Sequence, residues 1–321
     1  MQEKQKELID QYDMELLHVR RGRGGLVCED RNGLYDLQVC DLSPKRLEQA
    51  FEIKEQLIQQ GFLYVDQYYR NREGELLTYD RYQTPYIMKR HFEGRECDIR
   101  SKKDIQTAGE QLGILHEFLK KIPTEGYPRK KSRLDLKTKE LIRTKQYIAR
   151  KNEKKEFEML FYQYFDLFWK DVEPAYEEEP YEPSLCHGAY HQHHMLMLPG
   201  QRMAVIQFEH FYVGNQLEDV FYLMRKILEK NQYDFSYARK LLDAYETKRR
   251  LSMADYRSLY RMLSYPEKYW KLANQYMNHR KSFLSPKLTE KLQDAVKLQE
   301  KKEKFLRDFW LFYLQMKDVS L

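Results

Sequence analysis

Four histidines, His187, His191, His193 and His194, stand close together in the stretch LCHGAYHQHHMLMLPGQRMAVIQFEHF, residues 185–211. Imidazole is a good ligand for zinc, copper or nickel, and histidines four apart share a face when the chain is helical. Metal binding is therefore the first chemistry the spacing raises. The surroundings weigh against it. HMLML and MAVIQF flank a Pro-Gly turn, so the segment reads as a loop entering a strand, where 191 and 193 share a side and 194 does not. No nearby acid or cysteine has ligand spacing, and Cys186, apolar on its flanks, is expected to be buried. Ordinary loop histidines and no metal site are the expectation. A second candidate is the glycine turn RRGRGG at 20–25, which could bring backbone close to a ligand but which any hairpin could also use.

The elements that must position these residues are partly legible. MELLHV (14–19), LVCE (26–29) and LYDLQV (34–39) read as three strands, the second and third joined by Asn32-Gly33, a strong hairpin signal. Ser43 and Pro44 open a helix to Gln60, with Leu47, Ala50, Phe51, Leu57 and Ile58 as its apolar positions. Further strands are expected at 64–70, 75–80 and 85–92, and a hinge at 93–97. Beyond it the chain reads as mostly helical. Ile105, Ala108, Leu112, Leu115 and Leu119 form one stripe, and a long helix is expected over roughly 136–170. More helices follow at about 216–230, 236–248 and 252–263, and after Pro266 and Pro286, the last capped by Ser285.

Composition bounds the class. The 321 residues, 42% hydrophobic and 33% charged, suit a soluble globular chain. No apolar run approaches the ~20 residues of a membrane span. The start, MQEKQKELIDQYDMELL, reads as a polar helix rather than an export signal. Cys28, Cys40, Cys97 and Cys186 are scattered, which suggests free thiols in a reducing compartment. A net charge of +6 is too mild to imply nucleic-acid binding. It is unevenly spread: residues 120–155 carry 14 Lys and Arg, whereas DVEPAYEEEPYE (171–182) is acidic. A solvated helix face and an acidic loop are the plain reading, and a basic docking surface for an acidic partner is the other. The 26 tyrosines are expected mostly to be packing residues with a wet hydroxyl.

The order of elements resembles the protein-kinase-like fold, and within it the aminoglycoside-phosphotransferase branch. Its late segments EDVFYLMRKILEKNQYD, LSYPEKYWKLANQYMN and KEKFL, with RNREGELL and HFEGRECD earlier, are similar to the CotS-type bacterial spore-coat family over roughly residues 15–310. The resemblance implies an α+β, bilobal fold: a small β-rich N-terminal lobe with one helix (1–92), a hinge (93–97) and a larger helical C-terminal lobe (98–321). It also implies where the chemistry should be, and there the letters are altered. Ala189 stands in His187-Gly188-Ala189 where a catalytic aspartate is expected, and a positioned general base contributes ~10²–10⁴-fold. His194 falls at the metal-ligating asparagine, and Gln207, in Gln207-Phe208-Glu209, at the main metal-binding aspartate. Gln38 falls at the phosphate-binding lysine of the third strand, whose helix partner would be Glu48, Glu52 or Glu55. Lys45 and Lys54 are candidates for a displaced lysine, though exposed helix lysines are the simpler reading. Glu209 is the one acid remaining. Gly22, Gly24, Gly25, Glu93 and Gly94 are weak candidates for a nucleotide cleft, with the hinge backbone near Arg90–Gly94 free to meet an adenine edge. His116 and Asp219 match structural positions of the branch, Asp219 bonding loop backbone.

Phosphoryl transfer depends almost wholly on positioning and electrostatic stabilisation. Four altered positions together point to a pseudokinase: a non-catalytic scaffold or assembly component of the spore coat, made in the mother-cell cytoplasm. Other spore-coat proteins are the partners the resemblance implies; neither nucleic acid nor membrane is expected, and no cofactor. The alternative is an atypical phosphotransferase for a small molecule or coat protein, which would use ATP and Mg²⁺.

Overall fold

The computed structural model describes residues 3–22, 24–130, 134–176, 180–278 and 286–315. The chain opens with helix α1 (Glu3–Ile9) and runs through β1 (His18–Gly22), β2 (Gly25–Asp30) and β3 (Gly33–Val39) into α2 (Pro44–Gln59). Then come β4 (Tyr68–Tyr69), β5 (Leu77–Tyr79), β6 (Pro85–Arg90), β7 (Arg95–Glu96) and α3 (Lys102–Leu119). Helices α4 (Leu134–Ala149), α5 (Glu156–Gln163) and α6 (Phe165–Trp169) precede β8 (Ser184–Cys186), β9 (Met195–Leu198), β10 (Arg202–Val205) and β11 (Tyr212–Gly214). Five more helices follow: α7 (Leu217–Lys230), α8 (Phe235–Glu246), α9 (Met253–Ser264), α10 (Glu267–Asn278) and α11 (Pro286–Phe309).

Two compact units divide the chain. The first takes Met1–Pro128, Pro183–Asp219 and Asp243–Arg249; the second takes Arg129–Glu182, Val220–Leu242 and Arg250–Leu321. In the first, an antiparallel sheet has the order β1-β2-β3-β6-β4, with β5 also on β6. Strand alternation splits its residues between two faces. Leu37, Cys28 and Met88 lie on one, where Leu8, Ile9 and Tyr12 cover them. The polar N-terminal helix thus has an apolar side that belongs to the core. Asp36 and Gln38 lie on the other face, directly opposite Lys89 and Ile87 of β6. Two smaller sheets, β10-β9-β7 and β11-β8, complete the strands of this unit.

Helix α2 is capped as its sequence indicates: the Ser43 side chain accepts from Arg46 N–H, and Pro44 takes the first helical position. Its buried residues are Leu47, Ala50, Ile53, Lys54 and Leu57. The first strand begins at His18, not at 14, because β1 pairs with β2 from His18↔Glu29 to Gly22↔Gly25. Gly25 is where β2 approaches β3 most closely: a Cβ there would lie 2.2 Å from Leu37 O.

The second unit is helical. Its core stacks the Tyr269 ring between Phe161 (centroids 4.4 Å apart) and Phe168 (4.2 Å). The expected single helix over 136–170 is instead α4, α5 and α6. The break has a polar cause. Glu158 is fully buried, and its carboxylate accepts from the Lys155 backbone N–H (2.8 Å), from Lys151 and from the Tyr276 hydroxyl. A new helix start at 156 supplies that backbone donor, which a continuous helix would have used internally. Pro266 precedes α10 and Pro286 begins α11, as expected; Ser285 lies outside the described residues.

Candidate functional site

Every residue of the site lies in the first unit. Strand β10 sets its frame: Val205 N–H donates to Tyr64 O (2.9 Å) and Val65 bridges Val205, which brings Asp66 beside Gln207. Gln207 has left-handed backbone (φ 68°), a conformation that costs a non-glycine residue ~1–3 kcal/mol, and its N–H donates to Asp66 Oδ2 at 3.1 Å.

Around Asp66 three other charged side chains converge. Lys54 of α2 is wholly buried; its Nζ lies 2.8 Å from Asp66 Oδ1 and 3.8 Å from Glu209 Oε1, and donates to Asp66 O at 3.0 Å. The same ammonium sits 3.5 Å over the Tyr68 ring, whose hydroxyl donates to Glu209 Oε1. Lys89 of β6 reaches Asp66 Oδ2 at 3.5 Å. The Gln207 amide, oriented to satisfy both ends, accepts from Lys89 Nζ (3.1 Å) and donates to Glu209 Oε2 (3.2 Å). Two ammonium groups thus neutralise two carboxylates, with the Gln207 amide bridging them.

The electrostatics follow from this pairing. Burial works to raise the Glu209 pKa, but Lys54, Lys89 and the Tyr68 hydroxyl outweigh it and hold the carboxyl at about 2. Burial lowers Lys54 against the pull of Asp66 and Glu209. At Lys89 burial also works downward, but Asp66, Glu209 and Asp36 outweigh it and the pKa rises. Arg46, also on α2, donates to Glu209 O (3.0 Å) and to Phe211 O, which ties the 208–211 turn to the helix.

Lys54 therefore departs from the exposed helix lysine expected of it, whereas Lys45 is exposed. Gln38, at the expected place of the phosphate-binding lysine, shares its sheet face with Lys89 of the adjacent strand. None of the three glutamates proposed as helix partners takes part: Glu48 pairs with Arg70, Glu55 accepts from Gln67, and Glu52 from Tyr127. Asp66, Tyr68 and Lys89 were not singled out from sequence. Lys54 carried a signal, since it falls on the Leu47-Ala50-Leu57 stripe, where a charge is out of place. Lys89 carried a weaker one as the alternate of Ile87.

The loop at 187–194 is built on its own backbone. His187 is buried; its Nε2 donates to Ile206 O (3.0 Å) while its Nδ1 accepts from Ala189 N–H (3.2 Å). Burial pushes this histidine down to about 4. His194 Nδ1 lies 2.9 Å from Ala189 O, and Ile206 N–H donates to His194 O, so Ala189, His194 and Gln207 belong to one neighbourhood. His193 pairs instead with Glu96 (2.6 Å). Among the described residues no three His, Cys, Asp or Glu side chains converge as a metal-ligand set. Gly188 is left-handed (φ 81°), and a Cβ there would meet His210 O at 2.1 Å.

Asp219, wholly buried, has the structural part expected of it. Its carboxylate accepts from the backbone N–H groups of His187 (2.7 Å) and Gly188 (2.9 Å) and faces His116 Nε2 at 3.4 Å. His116 Nδ1 completes the chain at Tyr245 OH, 2.9 Å away. Of the cleft candidates, Gly24 has left-handed backbone (φ 89°) and Gly22 pairs with Gly25 across the turn. Glu93 pairs with Arg20 at 2.9 Å, and Gly94 packs so closely on β9 that a Cβ would lie 2.7 Å from Met197 O.

A family model described as "Spore coat putative kinase YutH" matches residues 5–309. The chain belongs to that family. Solved structures show the same fold. An aminoglycoside phosphotransferase from Alicyclobacillus acidocaldarius superposes with a TM-score of 0.84 at 18% identity, over 95% of this chain and 94% of that one. Spectinomycin phosphotransferase APH(9)-Ia, solved with ADP and spectinomycin, gives 0.67 at 12% over 94% and 96%. A microcompartment-associated aminopropanol kinase gives 0.62 at 15% over 95% and 97%. A search of curated proteins finds no match. The sequence-based expectation of a spore-coat member with a kinase-like, aminoglycoside-phosphotransferase-like fold is thus borne out. Among the described residues, no helix is long and apolar enough to cross a membrane.

Proposed function

We propose that this spore-coat family member is a pseudokinase, a kinase-fold protein that serves as a non-catalytic scaffold or assembly component. The observation that carries the proposal is the Lys54–Asp66–Lys89–Glu209 quartet. A divalent ion of the magnesium type needs near-octahedral oxygen ligands. Here Asp66 and Glu209 already have ammonium counter-ions, and at the expected place of the main metal-binding aspartate Gln207 offers a single carbonyl oxygen that accepts from Lys89. The residues present do not fit a metal–nucleotide pair, and Ala189 can take no proton from an acceptor hydroxyl. On this reading residues 1–92 and 98–321 keep the roles of the two lobes, with 93–97 as hinge. The protein acts in the mother-cell cytoplasm and at the spore coat, and its partners are other coat proteins.

The test is a thermal-shift series with ATP at millimolar concentration, alone and with Mg²⁺ or Mn²⁺, followed by a labelled-phosphate transfer assay. No metal-dependent shift and no turnover is the expected result. A metal-dependent shift with turnover that is lost on Glu209→Gln would replace the scaffold by an atypical phosphotransferase.

A further inference from the structure

In the second unit, the end of α7 and the start of α8 line a groove with α11, of about 660 Å³. That volume lies in the ~300–1,000 Å³ range of small-molecule pockets. The α11 wall holds Lys301, Lys304, Phe305 and Asp308. Their spacing of i, i+3, i+4 and i+7 puts all four on one helix face. Lys230, in the last turn of α7, lines the groove as well.

The three lysines are exposed, and none makes an ion pair among the described residues. Lys301 donates to the side-chain oxygen of Gln232, a neutral partner that leaves its charge uncompensated. Two carboxylates share the lining. Asp234 is engaged as the cap of α8, accepting from Ser236 N–H at 2.9 Å; Asp308 stands at the far end of the α11 face. The rest of the lining includes rings. Tyr233 and Phe235, both half-buried, lie beside the buried Phe305, with centroids 6.1 and 6.2 Å from it. The turn that carries Tyr233 is closed by its N–H donating to Leu228 O (2.8 Å), with Gln232 and Tyr233 both left-handed (φ 53° and 59°). Glycine would fit the first of these places more easily. Glutamine there supplies the amide that holds Lys301.

We propose that this groove binds a small phosphomonoester, its phosphate met by Lys230, Lys301 and Lys304 and its apolar body by Tyr233 and Phe235. The cations select the head group. No arginine lines the groove, so there is no planar fork to match a carboxylate; lysines act as point charges, which suits a tetrahedral oxyanion. A phosphomonoester carries nearly two negative charges above its second pKa of ~6 and so answers more than one ammonium. The rings select the body, since an apolar group laid on them leaves water. The site is independent of the quartet, which belongs to the first unit.

The experiment titrates the full chain by calorimetry at about pH 8, without metal, using phenyl phosphate, inorganic phosphate and benzoate as probes. Phenyl phosphate is expected to bind with a Kd of about 1 mM or tighter. It should bind at least about tenfold more tightly than inorganic phosphate, which about 55 Å² of ring surface leaving water would supply. Benzoate, a monoanion with the same ring, is expected to bind more weakly than phenyl phosphate. Lys301→Ala/Lys304→Ala, at two exposed positions, is expected to weaken phenyl phosphate at least about tenfold with an unchanged melting temperature. Lys139→Ala/Arg143→Ala removes the same charge from exposed positions of α4, outside the groove, and is expected to leave binding as in wild type. The proposal is overturned by the absence of binding at about 5 mM phenyl phosphate, or by an affinity no better than that of inorganic phosphate. Equal weakening by both double variants, or none by the first, would overturn it too.

Discussion

Lys54→Met is the sharpest probe of the site. The side chain is wholly buried, 2.8 Å from Asp66 Oδ1 and 3.8 Å from Glu209 Oε1. At an effective dielectric of ~20, the nearer contact alone represents ~6 kcal/mol of attraction. Desolvation of the two ions opposes it by several kcal/mol each, so the intact pair has little net effect on stability. Removing one partner differs, because the other charges stay buried. With methionine in place, Asp66 and Glu209 share Lys89 alone, and the variant is expected to lose ~3–5 kcal/mol of unfolding free energy at pH 7. The Glu209 carboxyl, short of one cation, then titrates higher than in wild type, where it is held at about 2. It binds its proton at a pH where the wild-type carboxylate is still charged. The deficit is therefore expected to shrink as the pH is lowered through the variant's raised Glu209 pKa toward about 2. Lys54→Met/Asp66→Asn, which removes one charge of each sign, is expected to be more stable than Lys54→Met by ~2 kcal/mol or more, although it differs at two buried sites. Urea unfolding at several pH values reads all of this. A single variant within ~1 kcal/mol of wild type with no pH trend, or a double variant no better than the single, would refute the reasoning.

His187 predicts a pH dependence of the opposite sense. Its pKa falls from 6.5 to about 4 through burial, so its contribution is fully present above pH 6.5 and is lost as the pH falls toward 4. Wild type is expected to lose up to ~3 kcal/mol of stability over that window through this group, and His187→Gln to show a flatter acid limb in the same urea series. Gly188→Ala is expected to cost more than the ~1–3 kcal/mol of a left-handed backbone alone, because the added carbon meets His210 O; a depressed melting temperature checks it. Asp219→Asn loses charge-assisted bonds to two backbone donors and is expected to cost ~2–3 kcal/mol in urea unfolding. Introducing the residues the resemblance implies, two acids and an amide, by Ala189→Asp/His194→Asn/Gln207→Asp is expected to yield no labelled-phosphate transfer above background, because Lys54 and Lys89 remain against Asp66 and Glu209.

Local signals carried much of the fold. Asn32-Gly33, the Ser43–Pro44 start of α2 and the strand alternation of β3 and β6 are short-range chemistry, and each gave an element close to its place. The missed break at 150–156 depends on Glu158 finding Lys151 and the distant Tyr276, a tertiary demand that helical periodicity does not carry. The site divides in the same way. The departures from the expected letters at Gln38, Ala189, His194 and Gln207 are legible once the resemblance is drawn. The charge cluster at Asp66 is not, because Lys89 comes beside Asp66 only through the β4–β6 register, with Tyr68 opposite Lys89, and Asp66 comes beside Gln207 only through the Val65–Val205 bridge. Lys54 was within reach, as a charge on an apolar stripe, and Lys89 more faintly, as the alternate of Ile87.

The quartet also constrains what mutation can do to this lineage. Any one of its four charges, changed singly, strands the other three in a dry interior and penalises the whole fold. Neutral drift is therefore opposed at Lys54, Asp66, Lys89 and Glu209 whether or not a reaction depends on them, and any rearrangement of the four must cross unstable intermediates. An interior that has made itself electrically complete evolves like a ratchet: cheap to keep, and costly to reverse one step at a time.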